Sequence, residues 1–282
     1  MQAPSLPVPL VSVRWLAAAI DDPDLVVLDA TFHPSPPADW STRPVQYLPH
    51  ARRFDFDKRI CDPSSSLPHM MPSAELFERE VRALGVRRDS RVVVYDRLGT
   101  FASPRGWWMF QAMGHDSVSV LDGGLPAWLE AGLPVVSAPE EPARPGDFVA
   151  RPRPGLFCDA GRVEAALRDP GVRVLDARSE GRFFGREPEP RAGLRGGHMP
   201  NAVSLPFSSL QDSGRMRSPE ELRALFAARV DGDPELVFSC GSGVTACVLA
   251  LGASLAGRTR LSVYDGSWSE WGLPSARPVV TS

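Results

Sequence analysis

Glu235-Leu-Val-Phe-Ser239-Cys240-Gly241-Ser242-Gly243-Val244-Thr245-Ala246-Cys247, running on apolar to Ala256, changes its character halfway along. Glu235–Ser239 is a short apolar run that reads as a buried strand, and Val244 to Ala256 reads as a helix. Cys240 therefore falls at the carboxyl end of a strand, just ahead of a helix N-terminus. In open α/β sheets that edge is where ligands bind.

Working outward, the same strand signal recurs at Leu25–Asp29, Arg91–Asp96, Ser117–Asp122, Val172–Asp176 and Arg260–Asp265. Valine and leucine dominate these runs, as they do in parallel strands covered on both faces. Helical patterns lie between them. Ser218-Pro219-Glu220-Glu221 precedes Leu222–Val230 with a capping serine, a proline at the first helical position and a glutamate placed to close a capping box. The apolar Leu10–Ile20 is interrupted by Arg14 and shows no convincing small-residue cleavage site, so it is read as a first helix rather than a signal peptide. Alternating strands and helices predict an α/β fold with mostly parallel sheets.

The pattern is written twice. Val27-Leu28-Asp29-Ala30 matches Val174-Leu175-Asp176-Ala177, and Tyr47-Leu48-Pro49-His50-Ala51 matches His198-Met199-Pro200-Asn201-Ala202. Val93–Asp96 matches Val237–Cys240, and Val120–Gly123 matches Val263–Gly266. Matches in one order at an offset of 143 to 151 residues indicate a duplicated domain. The expected boundaries are 1–138 and 155–282, joined by a proline-rich linker, 139–154. The copies differ where chemistry is expected. Position 96 is an aspartate where the second copy has Cys240, so function is expected in the second copy alone.

Composition narrows the function. The 282 residues carry a net charge of −3, which offers nothing to nucleic acid, and no run approaches a membrane span. Lys58 is the single lysine, so no P-loop Gly-Lys-Ser/Thr triplet exists, and bound anions are expected to meet arginine forks. Four cysteines at 61, 158, 240 and 247, without Cys-x-x-Cys spacing, predict free thiols in a reducing, cytoplasmic setting.

At Cys240, Gly241 and Gly243 allow the backbone to curl so that several N–H groups face one anion. The helix dipole adds roughly 0.3–1 kcal/mol in favour of a thiolate, the nucleophilic form of cysteine. Two other readings compete. Gly241-Ser-Gly243-Val-Thr-Ala246 fits a dinucleotide fingerprint with Asp265 downstream, but the first copy lacks the glycines and the motif comes late in its domain. A cysteine phosphatase needs an arginine six residues after the cysteine, where Ala246 stands. Cys247 reads as a buried helix residue, Cys61 and Cys158 carry no readable role, and Asp29 and Asp176 are expected to serve backbone or arginine partners.

These features resemble the rhodanese superfamily, specifically its tandem-domain sulfurtransferases, over nearly the whole chain. The loop Cys240 to Thr245 is similar to the signature of the 3-mercaptopyruvate enzymes, whereas the thiosulfate enzymes typically carry Arg-Lys after the cysteine. Gly181–Gly185 followed by Glu187-Pro188-Glu189-Pro190-Arg191 resembles the family's substrate-binding segment. Phe54–Asp57 and Pro68–Pro72 resemble the segments giving an aspartate and a histidine.

The resemblance implies Cys240 as nucleophile, with Gly241, Gly243, Val244 and Thr245 as the binding loop. Arg182 and Arg191 would hold an α-keto acid, and Ser242, His69 and Asp57 would handle a proton. It further implies no cofactor and no metal, a small-molecule sulfur donor, a thiol acceptor such as thioredoxin, and no nucleic-acid or membrane partner. A thiosulfate:cyanide sulfurtransferase and a persulfide carrier module are the alternatives.

Overall fold

The structure, a computed structural model, describes residues 6–32 and 45–281. The chain divides into two compact units. The first comprises Met1–Pro63, Met71–Arg153 and Ser213–Arg215; the second comprises Ser64–Met70, Pro154–Asp212 and Met216–Ser282. His69, early in the sequence, is thus part of the second unit.

The first unit runs β1 (Leu10–Val11), α1 (Val13–Ala19), β2 (Leu25–Asp29), β3 (Arg52–Arg53), α2 (Ala74–Ala83), β4 (Arg91–Tyr95), α3 (Ser103–Ala112), β5 (Val118–Leu121) and α4 (Gly124–Glu130). Its strands form one all-parallel sheet in the order β1-β5-β4-β2-β3. β2 is buried along its whole length and β4 from Val92 to Tyr95, which is why both read as continuous apolar runs. Each fully buried Val or Leu favours folding by ~1.5–3 kcal/mol over exposure. Leu16, Val27, Val93, Tyr95, Leu121 and Trp128 meet in one core cluster.

The second unit repeats the plan with β6 (Phe157–Cys158), α5 (Ala160–Ala166), β7 (Val172–Asp176), α6 (Glu180–Phe183), β8 (Val203–Ser204), α7 (Pro219–Ala227), β11 (Glu235–Ser239), α8 (Ala246–Leu255), β12 (Leu261–Tyr264) and α9 (Ser267–Trp271). The short strands β9 (Gln211–Asp212) and β10 (Arg215–Met216) lie outside the five-stranded sheets. The order β6-β12-β11-β7-β8 is parallel throughout and matches the first sheet position for position. β11 is central, with Ser239 opposite Asp176, so the residue after Ser239 emerges at the middle of the sheet's carboxyl edge.

Two expected boundaries shift. Leu10–Val11 pairs with β5 as an edge strand, so α1 begins only at Val13, behind the Ser12 cap. α8 begins at Ala246 rather than Val244, because Val244 and Thr245 are spent on the loop that follows Cys240. The capping box at Ser218 and Glu221 forms as read, with the serine hydroxyl accepting the Glu221 N–H and the glutamate accepting the Ser218 N–H.

Candidate active site

β11 delivers Cys240 into a buried position, with 1% of its surface exposed. The loop behind it is fastened to α9. The Cys240 N–H donates to Ser267 Oγ at 3.1 Å, and the Ser267 hydroxyl donates to the Tyr264 carbonyl. Trp268 N–H donates to the Cys240 carbonyl at 2.9 Å, and both the N–H and the hydroxyl of Ser269 donate to the Gly241 carbonyl. Ser267 holds a left-handed φ of +48° to make these bonds. Its counterpart in the first unit is Gly124, at φ +52°. A side chain at such a φ costs of order 1–3 kcal/mol, and here it places a hydroxyl under the cysteine.

The loop's donors remain available. Gly243 adopts φ +73°, and its carbonyl accepts the thiol of Cys247, which is buried in α8. Among the described residues, the N–H groups of Ser242, Thr245 and Ala246 donate to no protein acceptor. The first unit shows what such a loop binds. There Asp96 stands where Cys240 does, fully buried. Its Oδ1 accepts Leu98 N–H at 2.9 Å, and its Oδ2 accepts the N–H groups of Phe101, Ala102 and Ser103 at 2.8–3.0 Å plus the Ser103 hydroxyl at 2.7 Å. Burial pushes the Asp96 pKa up while these donors pull against it. Aligned on Cys240, the donors at 98, 101 and 102 become Ser242, Thr245 and Ala246. The duplicated loop is a backbone cradle for an anion, filled in the first unit by its own carboxylate.

Around the Cys240 loop stand three of the predicted side chains. His69, buried and at a left-handed φ of +63°, sets its Nδ1 3.0 Å from Ser242 Oγ. Arg191 reaches the same hydroxyl from 3.5 Å. Arg182, on α6, comes closest at Gly241: a Cβ there would lie 3.1 Å from an Arg182 terminal nitrogen and 3.9 Å from one of Arg191. The missing side chain of Gly241 leaves that space to the two guanidinium groups. Val244 is buried, and Thr245 occupies the N-cap position of α8. Asp57 lies in the first unit, in the turn after Phe56, where its carbonyl accepts the Cys61 thiol at 3.4 Å. That placement assigns it no chemistry.

The other thiols are poorly suited to nucleophilic work. Burial raises the Cys158 pKa to about 11 and pushes Cys61 up as well, with Asp57 and Asp55 adding to the effect. All four cysteines are free. No group of three or more His, Cys, Asp or Glu side chains among the described residues is arranged to hold a metal, and no described helix is long and apolar enough to cross a membrane. Sequence reasoning missed the contribution of Ser267 and Ser269. It also missed the ion chain Asp176–Arg178–Glu189–Arg182. Its available signal was the acidic strand end at Asp176 and the Glu189 of the quoted segment.

A paired set of parallel sheets, with an anion cradle at the same edge of each, defines a protein of the rhodanese class. The rhodanese-like domain family matches residues 12–131 and 159–273, so the chain belongs to the rhodanese family in two copies. It is 42% identical over 288 residues to the human 3-mercaptopyruvate sulfurtransferase, covering 99% of this chain and 96% of that protein. It is also 42% identical over 273 residues to the rat thiosulfate sulfurtransferase, covering 93% and 91%. The crystal structure of the 3-mercaptopyruvate sulfotransferase SseA of Escherichia coli superposes with a TM-score of 0.81 at 34% identity, over 95% of this chain and all of that one. The chain is a sulfurtransferase. Equal identity to the two enzyme types leaves the sulfur donor to be argued from the site.

Proposed function

We propose that this sulfurtransferase takes its sulfur from 3-mercaptopyruvate and carries it as a persulfide on Cys240. The observation that carries this reading is the loop at Gly241-Ser242. Gly241 leaves two guanidinium groups to approach, and Ser242 pairs its hydroxyl with His69. A forked cationic pair suits a planar carboxylate and adjacent carbonyl, and holds the substrate sulfur toward the nucleophile. An uncharged Gly-Ser loop adds no further cation for a dianion such as thiosulfate.

The Cys240 thiolate attacks the substrate sulfur. The sulfur–sulfur bond forms as the carbon–sulfur bond breaks, and the electron pair leaves on carbon as the enolate of pyruvate. A proton delivered through Ser242 and His69 quenches that enolate. The persulfide anion rests against the N–H groups of Ser242, Thr245 and Ala246, with Gly243 and Val244 shaping the curve. A thiolate acceptor, of the thioredoxin kind, or cyanide in the test tube, then attacks the outer sulfur and returns Cys240 as a thiolate.

In this reading residues 1–138 form a domain without sulfur chemistry, 139–154 a linker and 155–282 the catalytic domain. Four free cysteines suit a cytoplasmic setting. Steady-state comparison of the donors is the test: kcat/KM is expected to favour mercaptopyruvate over thiosulfate, and the reverse order overturns the assignment. Cys240→Ser is expected to abolish turnover and the mass gain of one sulfur after donor treatment. Loading only from a protein persulfide, with no turnover of small donors, would make the chain a carrier instead.

A further inference from the structure

Arg182 is one end of a chain of charges that runs through the second unit. Asp176, the last residue of β7, accepts both Nε and a terminal nitrogen of Arg178 at 2.7–3.1 Å. Arg178 also donates to the Gly197 carbonyl, and its planar group lies 3.9 Å from the centre of a Trp268 ring. Its remaining terminal nitrogen donates to Glu189 Oε1 at 2.6 Å. Glu189 Oε2 accepts Arg182 from Nε at 3.2 Å and from a terminal nitrogen at 2.6 Å. The side chains of Asp176, Arg178 and Glu189 are 1–2% exposed, while that of Arg182 is 22% exposed.

Burial and saturation give these groups different tasks. Arg178 is enclosed and its donors are committed within the protein, so it does not meet a substrate. Its consequence is to fix Glu189, which stands between Pro188 and Pro190 on a backbone with restricted φ. Glu189 grips Arg182 through Nε and through the same terminal nitrogen that comes up to Gly241, so the carboxylate sets where the guanidinium stands against the Cys240 loop. The rotamer freedom of a long arginine is thereby lost on folding instead of on substrate binding. Glu189 also cancels part of the Arg182 charge.

We infer that Glu189, held by Arg178 and Asp176, is a positioning residue that aims the Arg182 guanidinium at the substrate of the Cys240 loop. This rests on the proposed role of Arg182 in binding the donor's carboxylate.

The test is a double-mutant cycle on steady-state kinetics with mercaptopyruvate. Glu189→Gln replaces one arm of the grip with an amide donor facing a guanidinium. KM is expected to rise about tenfold with kcat within about twofold. Glu189→Asp should recover part of that loss. In the Arg182→Ala background, Glu189→Gln should add no further rise in KM, because nothing remains to be aimed. A role confined to supporting the fold predicts additive losses and a fall in kcat with temperature of unfolding, and either result overturns the inference. If Glu189→Gln does not fold, Glu189→Asp with its Arg182→Ala double variant carries the same cycle. An unchanged KM in Arg182→Ala alone sinks the carboxylate clamp beneath the inference. A raised KM in Arg182→Ala beside an unchanged KM in Glu189→Gln sinks the aiming role only.

Discussion

At the scale of the residue, four thiols with one composition have different surroundings, and the surroundings decide the chemistry. Cys158 has its pKa raised to about 11 by burial, and Cys61 is raised by burial and neighbouring carboxylates. Both remain protonated thiols at neutral pH, and reaction requires the thiolate. Iodoacetamide at pH 8 is expected to label Cys240, the proposed nucleophile, with parallel loss of activity. Cys158 should label only as pH rises toward 11 or the protein unfolds, which peptide mass mapping across a pH series would show; fast labelling of Cys158 at pH 8 contradicts its assigned environment. His69 offers a second residue-scale test. Its strained φ and the 3.0 Å approach to Ser242 make sense if the ring serves the hydroxyl. His69→Ala is expected to lower kcat with mercaptopyruvate by about a hundredfold, the lower end of what general acid–base catalysis contributes. Full activity in that variant removes the proton relay while leaving the nucleophile in place.

At the scale of the element, the short helix α9 is the floor of the active loop, and its first residue carries the strain. Ser267→Ala keeps the left-handed φ and removes the acceptor for the buried Cys240 N–H. The expected cost is about 1–3 kcal/mol of stability, that of an unsatisfied buried donor, together with reduced turnover. Calorimetry and kinetics on the same preparation check both, and an unchanged melting temperature with full activity shows the loop does not need this floor. Elements also set what could be read in advance. β2, β7 and β11 were legible to the residue because strands covered on both faces are mostly apolar, here with polar residues only at the ends and at Arg173. β1, β3, β6 and β8 have only two residues each, too few for any period to show. The two-residue delay of α8 was hidden because Val244 and Thr245 are as apolar or as neutral as the helix that follows. The place of Cys240 at the end of β11 was legible from the local sequence, and the approach of Arg182 and Arg191 to its loop was pointed to by family resemblance. The Glu189 chain was not, because Asp176 at the end of β7, Arg178 after it, Arg182 on α6, Glu189 beyond α6 and Trp268 of α9 come together only in the fold.

At the scale of the whole molecule, the duplication has kept the architecture in both units and divided the use of the cradle. In the second unit the N–H groups of Ser242, Thr245 and Ala246 are left for the anion of the proposed reaction; in the first, the Asp96 side chain occupies the equivalent donors, through four N–H groups and a hydroxyl. This difference makes stability and chemistry separable by mutation. Asp96→Ala strips the acceptor from several buried donors at once, and the expected loss is about 3–5 kcal/mol, comparable to removing one partner of a buried ion pair. Sulfate, or another tetrahedral anion entering the emptied cradle, should restore part of that loss by mass action, where an inert salt of equal ionic strength does not. Because unfolding of two units need not be a single transition, the loss is to be read from the first-unit transition in calorimetry. Mass spectrometry after donor treatment should still find one added sulfur per chain in Asp96→Ala and none in Cys240→Ser. If a folded Asp96→Ala protein loses its sulfur loading, the first cradle takes part in the chemistry, and the division of labour drawn from the two loops is wrong.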